Sequence, residues 1–318
     1  MSNVSSSDSA VLPPLALIAG PTASGKSDLA METATLLERS GRQAVVINAD
    51  SMQVYRDLPV LSAWPGHDDV NQVEHRLYGA WDGAEACSAA DWAKAAREVI
   101  GEVHAHGGVP ILVGGTGLYI RTLLEGIAPV PPIDTSVRAD VRAMPVAEAF
   151  AALQTEDPAR AAALGPNDTS RIARALEVVR STGKPLAEWQ ADLSGGIGNQ
   201  VTLYPAILLP PREWLYPRCD LRFERMLQLG AIDEVRALLA RNLDPALPVM
   251  RAIGVPEVAA YLSGECSLEE AAARGAQATR NYAKRQYTWL RNQPPLDWPR
   301  IALQDYNAED IFVSLLRD

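Results

Sequence analysis

Short apolar runs alternate with segments of helical spacing over the first third of the chain. Leu15–Ala19, Ala44–Ile47 and Val109–Val113 are such runs, and each predicts a buried strand. Between them, Ser27–Glu38 and Ala89–His104 place apolar residues on one helical face, which predicts two helices. Strands that alternate with helices are typical of an α/β fold with a doubly wound parallel sheet. In such sheets, ligands bind beyond the carboxyl ends of the strands.

The pattern changes after Pro129. Residues 137–191 are alanine-rich with helical spacing, Ser194–Asn199 is a glycine-rich predicted loop, and Val201–Leu209 predicts a strand that returns to the sheet. We therefore predict a helical insertion over residues 130–200 in a core made of residues 11–129 and 201–318. Three further helices are predicted in the C-terminal third, over Arg218–Asn242, Ala252–Leu262 and Leu268–Asn292.

Composition narrows the class of protein. The 318 residues are 47% hydrophobic and 21% charged, as in soluble globular proteins. No apolar run approaches the roughly 20 residues of a membrane helix, so we predict no membrane partner. Residues 1–10 are serine-rich and predict a disordered tail, not a signal peptide. The three cysteines are odd in number and far apart, which favours a reducing cytoplasm over a disulfide framework or a zinc site.

The charge distribution leaves two interpretations open. A net charge of −10 argues against nucleic acid as a ligand, because phosphate contacts require Lys and Arg. The stretch Ala271–Leu296, however, has no acidic residue and five basic ones. It is either a solvated helix face or a nucleic-acid-binding surface. Its basic residues are Arg274, Arg280, Lys284, Arg285 and Arg291.

A phosphate-binding motif follows the first predicted strand and opens the first predicted helix. The motif reads Gly20-Pro21-Thr22-Ala23-Ser24-Gly25-Lys26-Ser27 and fits the pattern G-x-x-x-x-G-K-[ST]. Backbone N–H groups and the helix N-terminus attract phosphate, Lys26 adds a point charge, and the Ser27 hydroxyl can ligate Mg²⁺. The motif predicts a P-loop NTPase-like fold and a polyphosphate ligand, which could be ATP, GTP or a prenyl pyrophosphate.

One acidic residue stands at a strand end. An NTPase normally adds a second acidic residue at a strand end to hold the metal. The third predicted strand instead ends in Gly114-Gly115-Thr116-Gly117, without a carboxylate. Asp50 is the only carboxylate directly at the end of a predicted core strand. It could be a metal ligand, a general base or a helix N-cap.

Further motifs occur in order along the chain. With the phosphate loop, they resemble the tRNA dimethylallyltransferase (isopentenyltransferase) family over nearly the whole sequence. The matching stretches are Ala49–Arg56, Ser88–Asp91, Ile111–Ile120, Pro166–Asp168, Arg171–Glu177, Thr182–Pro185, Met250–Gly254 and Tyr282–Trp289.

The resemblance implies a reaction and its partners. A dimethylallyl group moves from dimethylallyl pyrophosphate to the exocyclic amino group of the adenine just 3′ of the anticodon in tRNA, and pyrophosphate leaves. Catalysis must then stabilise negative charge on the leaving group. The N–H groups of residues 22–27, Lys26 and Mg²⁺ at Ser27 are suited to this. Arg222 either adds a further charge there or is a solvated helix arginine. We expect a cytoplasmic monomer that binds the tRNA anticodon stem-loop.

The resemblance also implies roles for individual residues. Asp50 would be the base that accepts the amino proton, an effect worth roughly 10²–10⁴-fold. Thr116 would contact the tRNA, although its hydroxyl could instead cap the glycine-rich turn. Residues 50–53 resemble the family's base-contacting segment, and residues 170–174, 251–256 and 284–291 resemble tRNA-contacting segments. The tRNA-contacting candidates are Asp50, Ser51, Met52, Gln53, Thr116, Arg138, Ser170, Arg171, Arg174, Arg251, Lys284, Arg285 and Arg291.

One segment departs from the family pattern. The family usually carries a Gly-Thr-Ala-Lys-Pro-like run where this chain has Leu61–Pro65, and a His-His pair where it has His75-Arg76. Substrate contacts within residues 57–80 therefore do not follow from the resemblance.

Three other functions remain to be compared with a tRNA prenyltransferase. They are a P-loop small-molecule kinase, a prenyltransferase acting on free nucleotides, and a non-enzymatic RNA-binding protein.

Overall fold

The computed structural model describes residues 12–302 and 306–317 of the chain. The predicted disordered tail, residues 1–10, lies outside the described residues. The described chain divides into two compact units. The core unit comprises the residues up to Leu123 and those from Gly198 onward, and the second unit is Leu124–Ile197.

A six-stranded sheet in which every pair is parallel forms the centre of the core unit, in the strand order β3-β2-β4-β1-β7-β8. The predicted α/β class and parallel sheet are confirmed. The carboxyl ends of β1, β2 and β4 lie side by side, since β4 pairs with both of the others. The strands are β1 Pro14–Ala19, β2 Ala44–Asn48, β3 Glu74–Arg76, β4 Val109–Gly114, β7 Thr202–Leu208 and β8 Arg300–Ile301.

Both faces of the sheet are covered. All five residues of β2 and all six of β4 are buried, which explains why these strands are continuous apolar runs without alternation. Helix α1 (Lys26–Arg39) and two short C-terminal helices pack on one face, against residues such as Ile18, Val46 and Ile111. The edge strands β3 and β8 are short and polar, so their sequences gave no strand signal.

Three helices of the core unit begin at a side-chain cap, which is Ser88, Ser267 or Asn307. Helix α3 starts with a capping box, in which Ser88 Oγ accepts a hydrogen bond from Asp91 N over 3.1 Å. The longest of these helices, α13, has the bounds that the sequence predicts for it. Besides α1, the helices of the core unit are α2 His67–Gln72, α3 Ala89–Ala105, α4 Gly117–Glu125, α10 Arg212–Gln228, α11 Ala231–Ala240, α12 Val255–Leu262, α13 Leu268–Asn292, α14 Ala308–Ile311 and α15 Val313–Arg317.

The single helix predicted over Arg218–Asn242 is wrong. Two helices, α10 and α11, occupy this region and are separated at Leu229-Gly230. Gly230 has φ +112°, a left-handed conformation that glycine adopts without strain and that ends the helical path. Apolar residues keep their helical spacing on both sides of the break, so the pattern predicted one continuous helix.

The second unit is built from five helices around a small apolar core that includes Val141, Leu153, Ile172 and Leu176. The predicted loop over Ser194–Asn199 is wrong at its start, because Ser194–Gly195 forms β6, which pairs antiparallel with β5 (Gly126–Ile127). The helices are α5 Thr135–Ala143, α6 Val146–Glu156, α7 Pro158–Ala162, α8 Thr169–Thr182 and α9 Leu186–Gln190. None of the helices in the described residues of either unit is long and apolar enough to cross a membrane.

Candidate active site

The phosphate loop runs from the end of β1 to the start of α1, as its motif predicts. Gly25 has φ +91° and directly precedes Lys26, the first residue of α1. The first N–H groups of an α-helix have no hydrogen-bond partner within the helix. They lie at its N-terminus, where the helix dipole places partial positive charge. The loop is compact, since Lys26 Nζ donates to Pro21 O over 3.1 Å and Ser24 N donates to the same carbonyl over 3.3 Å.

The glycine-rich turn after β4 lets α13 approach the sheet. A Cβ atom on Gly115 would lie 2.2 Å from Gln286 Nε2, and one on Gly117 would lie 2.3 Å from the ring of Trp289. Both distances are shorter than ordinary Cβ contacts, so a larger residue at either position would force its neighbour on α13 to shift. Gly114 O also accepts a hydrogen bond from Gly20 N over 3.2 Å, which joins this turn to the start of the phosphate loop.

Five charged side chains line a polar cavity of about 110 Å³ at the phosphate loop: the cations Lys26, Arg218 and Arg222 and the carboxylates Asp28 and Asp50. Desolvation by burial lowers the pKa of Lys26 from 10.5 to about 8, and Asp50 acts in the opposite direction. Burial also lowers the pKa of Arg222, again opposed by Asp50. One carboxylate thus lies within electrostatic range of two cations, and the cavity keeps an excess of positive charge that suits an anion.

The backbone of Asp50 is held on both sides by Asn48. The buried Asn48 side chain accepts from Asp50 N over 2.8 Å and donates to Asp50 O over 3.0 Å. The backbone carbonyl of Asn48 accepts a hydrogen bond from Trp92 Nε1 over 2.9 Å. Sequence reasoning did not select Asn48, although a buried amide that ends an apolar strand is a signal for such a role.

The Asp50 carboxylate has one internal partner. Its Oδ1 atom accepts a hydrogen bond from Met52 N over 3.0 Å, which is the geometry of an Asx turn. Its other oxygen accepts no hydrogen bond from the described residues. Capping and proton acceptance are therefore compatible in this side chain, since each uses a different oxygen.

Thr116 connects two strand ends through its hydroxyl. Thr116 Oγ1 accepts from Ser51 N over 3.0 Å and lies 3.3 Å from Ser51 Oγ. The hydroxyl of Tyr282, on α13, also interacts with Thr116 and Ser51, and burial raises the pKa of that phenol. The three hydroxyl groups form one cluster beside Asp50, with both donors and acceptors to offer to a ligand.

Two further cavities adjoin the polar one. The first, here called the apolar cavity, has a volume of about 230 Å³. The second, here called the arginine cavity, has a volume of about 500 Å³ and is lined by Arg218, Arg222 and Arg225 together with mostly apolar residues such as Trp64 and Leu229. Arg222 lines all three cavities, and its buried Nε atom has no hydrogen-bond partner within residues 12–302 and 306–317. The apolar cavity is lined by Leu58, Leu61, Phe223, Met226, Ala252 and Ile253 and by the polar residues Thr22, Asp50, Ser51, Met52, Ser62, Arg222, Arg251, Thr279, Tyr282 and Arg285.

The structure brings many of the predicted site residues together, but not all of them. Arg251 and Arg285 line the apolar cavity with Asp50, whereas Lys284 and Arg291 are exposed on α13 and line none of the three cavities. Gln53 lines the polar cavity, and its Nε2 atom already donates to the carbonyls of Ser62 and Ala63.

The predicted tRNA-binding arginines of the second unit lie on α5 and α8. Glu177, with 2% of its side chain exposed, accepts a hydrogen bond from Arg142 Nε over 2.9 Å, and Arg138 and Arg174 lie within 4.0 Å of it. Burial lowers the pKa of Arg174, and the two neighbouring arginines add to the effect. This cluster keeps a net positive charge. Arg171 instead pairs with Asp168 at 3.4 Å, and Ser170 is exposed in the first turn of α8.

The residues at the phosphate loop fit a magnesium ion bound together with a diphosphate. The Ser27 hydroxyl and the Asp50 carboxylate line the same polar cavity, and oxygen ligands of this kind are those that Mg²⁺ prefers. The described residues contain no cluster of three or more His, Cys, Asp or Glu side chains that could hold a metal alone.

Comparisons with known proteins agree with these features. A family model described as IPP transferase matches residues 53–293. A tRNA dimethylallyltransferase from Erythrobacter litoralis is 62% identical over 305 residues, which cover 96% of each chain. Its counterpart from Novosphingobium aromaticivorans is 64% identical over 277 residues, which cover 87% of this chain and 99% of the relative.

A solved structure extends the agreement to three dimensions. It is described as a eukaryotic dimethylallyltransferase acting on tRNA, and it matches with a TM-score of 0.72 at 28% identity, over 87% of this chain and 70% of that one. The family model alone spans more than half of the sequence. The parallel sheet, the phosphate loop and these matches agree, and the chain belongs to the IPP transferase family.

Proposed function

We propose that this protein transfers a dimethylallyl group from dimethylallyl pyrophosphate to the exocyclic amino group of the adenosine 3′ of the anticodon in tRNA. The observation that carries the proposal is the position of Asp50, which lines both the polar cavity at the phosphate loop and the adjoining apolar cavity. A diphosphate in the first and a base in the second would meet at this carboxylate.

The leaving group is stabilised at the phosphate loop. As the bond between C1 of the prenyl group and the diphosphate oxygen breaks, the electron pair stays with the diphosphate, and negative charge grows there. Lys26, Arg222 and the N–H groups at the start of α1 offset this charge. Ser27, with Asp50 nearby, would hold Mg²⁺, which when bound neutralises part of the diphosphate charge.

Asp50 acts on the nucleophile. The lone pair of an adenine amino group is delocalised into the ring, so the nitrogen is a poor nucleophile. When this nitrogen forms the new bond to C1, it loses a proton, and the free oxygen of Asp50 accepts it. Asn48 keeps the Asp50 backbone in place, so the carboxylate is positioned before the substrate binds.

The acceptor is supplied by RNA. A base in an anticodon loop is unpaired, so extruding it into the apolar cavity costs less than extrusion from a duplex. Ser51, Met52 and Thr116 are proposed to contact the base, and Gln53 belongs to the same segment. The proposed contacts with the rest of the tRNA are Arg138, Ser170, Arg171, Arg174, Arg251, Lys284, Arg285 and Arg291. The relatives named tRNA dimethylallyltransferase support this assignment. We expect a monomer in the cytoplasm.

One assay compares this function with its alternatives. The protein is incubated with Mg²⁺, labelled dimethylallyl pyrophosphate and either unmodified tRNA or AMP, and separately with ATP alone. We expect label in tRNA and none in AMP. Label in AMP without label in tRNA would identify a free-nucleotide prenyltransferase instead, and ATP hydrolysis without prenyl transfer would favour the kinase. RNA binding without either reaction would indicate a non-enzymatic RNA-binding protein.

A further inference from the structure

One irregular segment borders all three cavities. Residues 58–65, here called the wall segment, form turns without a helix or a strand. Leu58 and Leu61 line the apolar cavity, Ser62 lines both the apolar and the polar cavity, and Trp64 lines the arginine cavity. A small displacement of this segment would therefore change the shape of all three cavities, including the space beside Asp50 where the donor and the base are proposed to meet.

Side chains from outside the segment fix its backbone. Glu234, in the first turn of α11, accepts hydrogen bonds from Val60 N over 2.7 Å and from Leu61 N over 2.9 Å. Gln53 Nε2 donates to Ser62 O over 3.0 Å and to Ala63 O over 2.9 Å. Residues 60–63 are thus each hydrogen-bonded through one backbone group, the first two to Glu234 and the last two to Gln53.

These anchors have a polarity that matches their targets. The carboxylate of Glu234 offers acceptors to two N–H groups, and the amide nitrogen of Gln53 offers donors to two carbonyls. Desolvation raises the pKa of Glu234, and the two backbone N–H groups counteract it. Burying a carboxylate costs free energy unless the carboxylate is hydrogen-bonded. The two bonds to the wall segment therefore offset the cost of burying Glu234.

We propose that Glu234 and Gln53 are positioning residues that hold the wall segment in place for the prenyl donor. The proposal rests on the proposed function for the identity of the donor. It assigns to Gln53 a role distinct from contact with the RNA base. It also gives a function to residues 58–65, where the chain departs from the family pattern and the resemblance implies none.

The chemistry gives a reason for a fixed wall. An allylic carbon that loses pyrophosphate can also react with water, which competes with the amine. If water attacks C1, the C1–oxygen bond to the diphosphate breaks, the water loses a proton, and the products are dimethylallyl alcohol and pyrophosphate. A displaced wall would admit water and misplace the donor, and misplacement by about 1 Å can cost about 100-fold in rate.

The test uses two nearly isosteric exchanges. Glu234→Gln places an amide NH₂ against one backbone N–H, and Gln53→Glu places a carboxylate against two carbonyls. For each variant, the Kd of dimethylallyl pyrophosphate alone is measured without tRNA, followed by the ratio of dimethylallyl alcohol to modified tRNA. We expect the donor Kd to rise about tenfold in both variants, with more alcohol per transfer. Glu234→Asp, which keeps both acceptors, should recover part of the donor affinity.

The matched control is Glu270→Gln. Glu270 also accepts a backbone N–H, from Ser267 over 2.9 Å, but it lies at the start of α13 on the surface. It should change neither donor Kd nor product ratio. Unchanged donor Kd and product ratio in both variants, with a loss of stability alone, would overturn the proposal. If Glu234→Gln or Gln53→Glu fails to fold, Gln53→Met removes the donors without adding repulsion and decides the question. A wild-type protein that binds the donor but modifies no tRNA would contradict the proposed function instead.

Discussion

The side-chain oxygen of Gln286 accepts a hydrogen bond from the backbone N–H of Thr22 over 2.8 Å. Thr22 belongs to the phosphate loop, and Gln286 lies on α13, the helix that carries Lys284 and Arg285. The Gln286 side chain is buried and packs against Gly115. The helix proposed to bind tRNA is therefore bonded directly to the loop proposed to bind the donor.

Gln286→Met should weaken both stability and donor binding. Methionine fills a similar volume but leaves the Thr22 N–H without an acceptor, which costs about 1–3 kcal/mol when the group is buried. Chemical denaturation measures the loss of stability, and equilibrium binding measures the donor Kd, which should rise. Gln277→Met, an exposed exchange on the same helix, is the control. Equal effects of the two exchanges would show that the contact with Thr22 contributes nothing specific.

Asp50→Asn separates the two roles of this side chain. Asparagine keeps an oxygen that can accept from Met52 N, but it cannot take a proton from the substrate. If Asp50 is the base, the rate of prenyl transfer in a single turnover should fall by roughly 10²–10⁴-fold. The Kd values for tRNA and for the donor should change little by comparison. A variant with wild-type turnover would show that Asp50 is only a cap.

The pKa of Lys26 predicts how donor affinity depends on pH. Burial lowers this pKa to about 8, whereas the unfolded chain keeps a value near 10.5. A bound diphosphate favours the charged form and raises the pKa again. Donor binding should therefore weaken above pH 8, by up to about tenfold per pH unit, because a proton must be taken up on binding.

The stability of the free protein should change in the opposite direction. Between pH 8 and 10.5, the unfolded chain binds more protons at Lys26 than the folded protein does, so this residue makes the free energy of unfolding rise with pH. Lys26→Arg keeps its charge throughout and should flatten the pH dependence of donor binding. A wild-type affinity that stays constant from pH 7 to about 10 would contradict a lowered pKa for Lys26.

Lys284→Ala combined with Arg285→Ala should reduce the salt dependence of tRNA binding. Both side chains are exposed on α13. Each phosphate contact contributes about 0.7–0.9 to the slope of log K against log salt concentration, so losing two should lower the slope by about 1.4–1.8. Replacing Arg39 and Lys94, two exposed cations on α1 and α3, is the matched control. An unchanged slope in the α13 variant would mean that these residues face away from the RNA.

Local patterns predicted the elements that carry the phosphate loop. Leu15–Ala19, Ala44–Ile47 and Val109–Val113 are confirmed as strands, because buried parallel strands are continuous apolar runs. The helix over Leu268–Asn292 is confirmed because its capping residue and its apolar period agree. The break at Gly230 and the two-residue strand at Ser194–Gly195 were missed, because one glycine or two residues carry no periodicity.

The parallel sheet, the phosphate loop and the position of Asp50 at a strand end follow from the amino-acid sequence. These features depend on short-range spacing and on residue chemistry. The hydrogen bonds of Asn48 to Asp50, of Gln286 to Thr22 and of Glu234 to residues 60–61 become visible in the folded protein alone. Partners such as Gln286 and Thr22 are 264 positions apart in the chain. A buried polar side chain needs a hydrogen-bond partner, but only the path of the folded backbone determines which distant group supplies it.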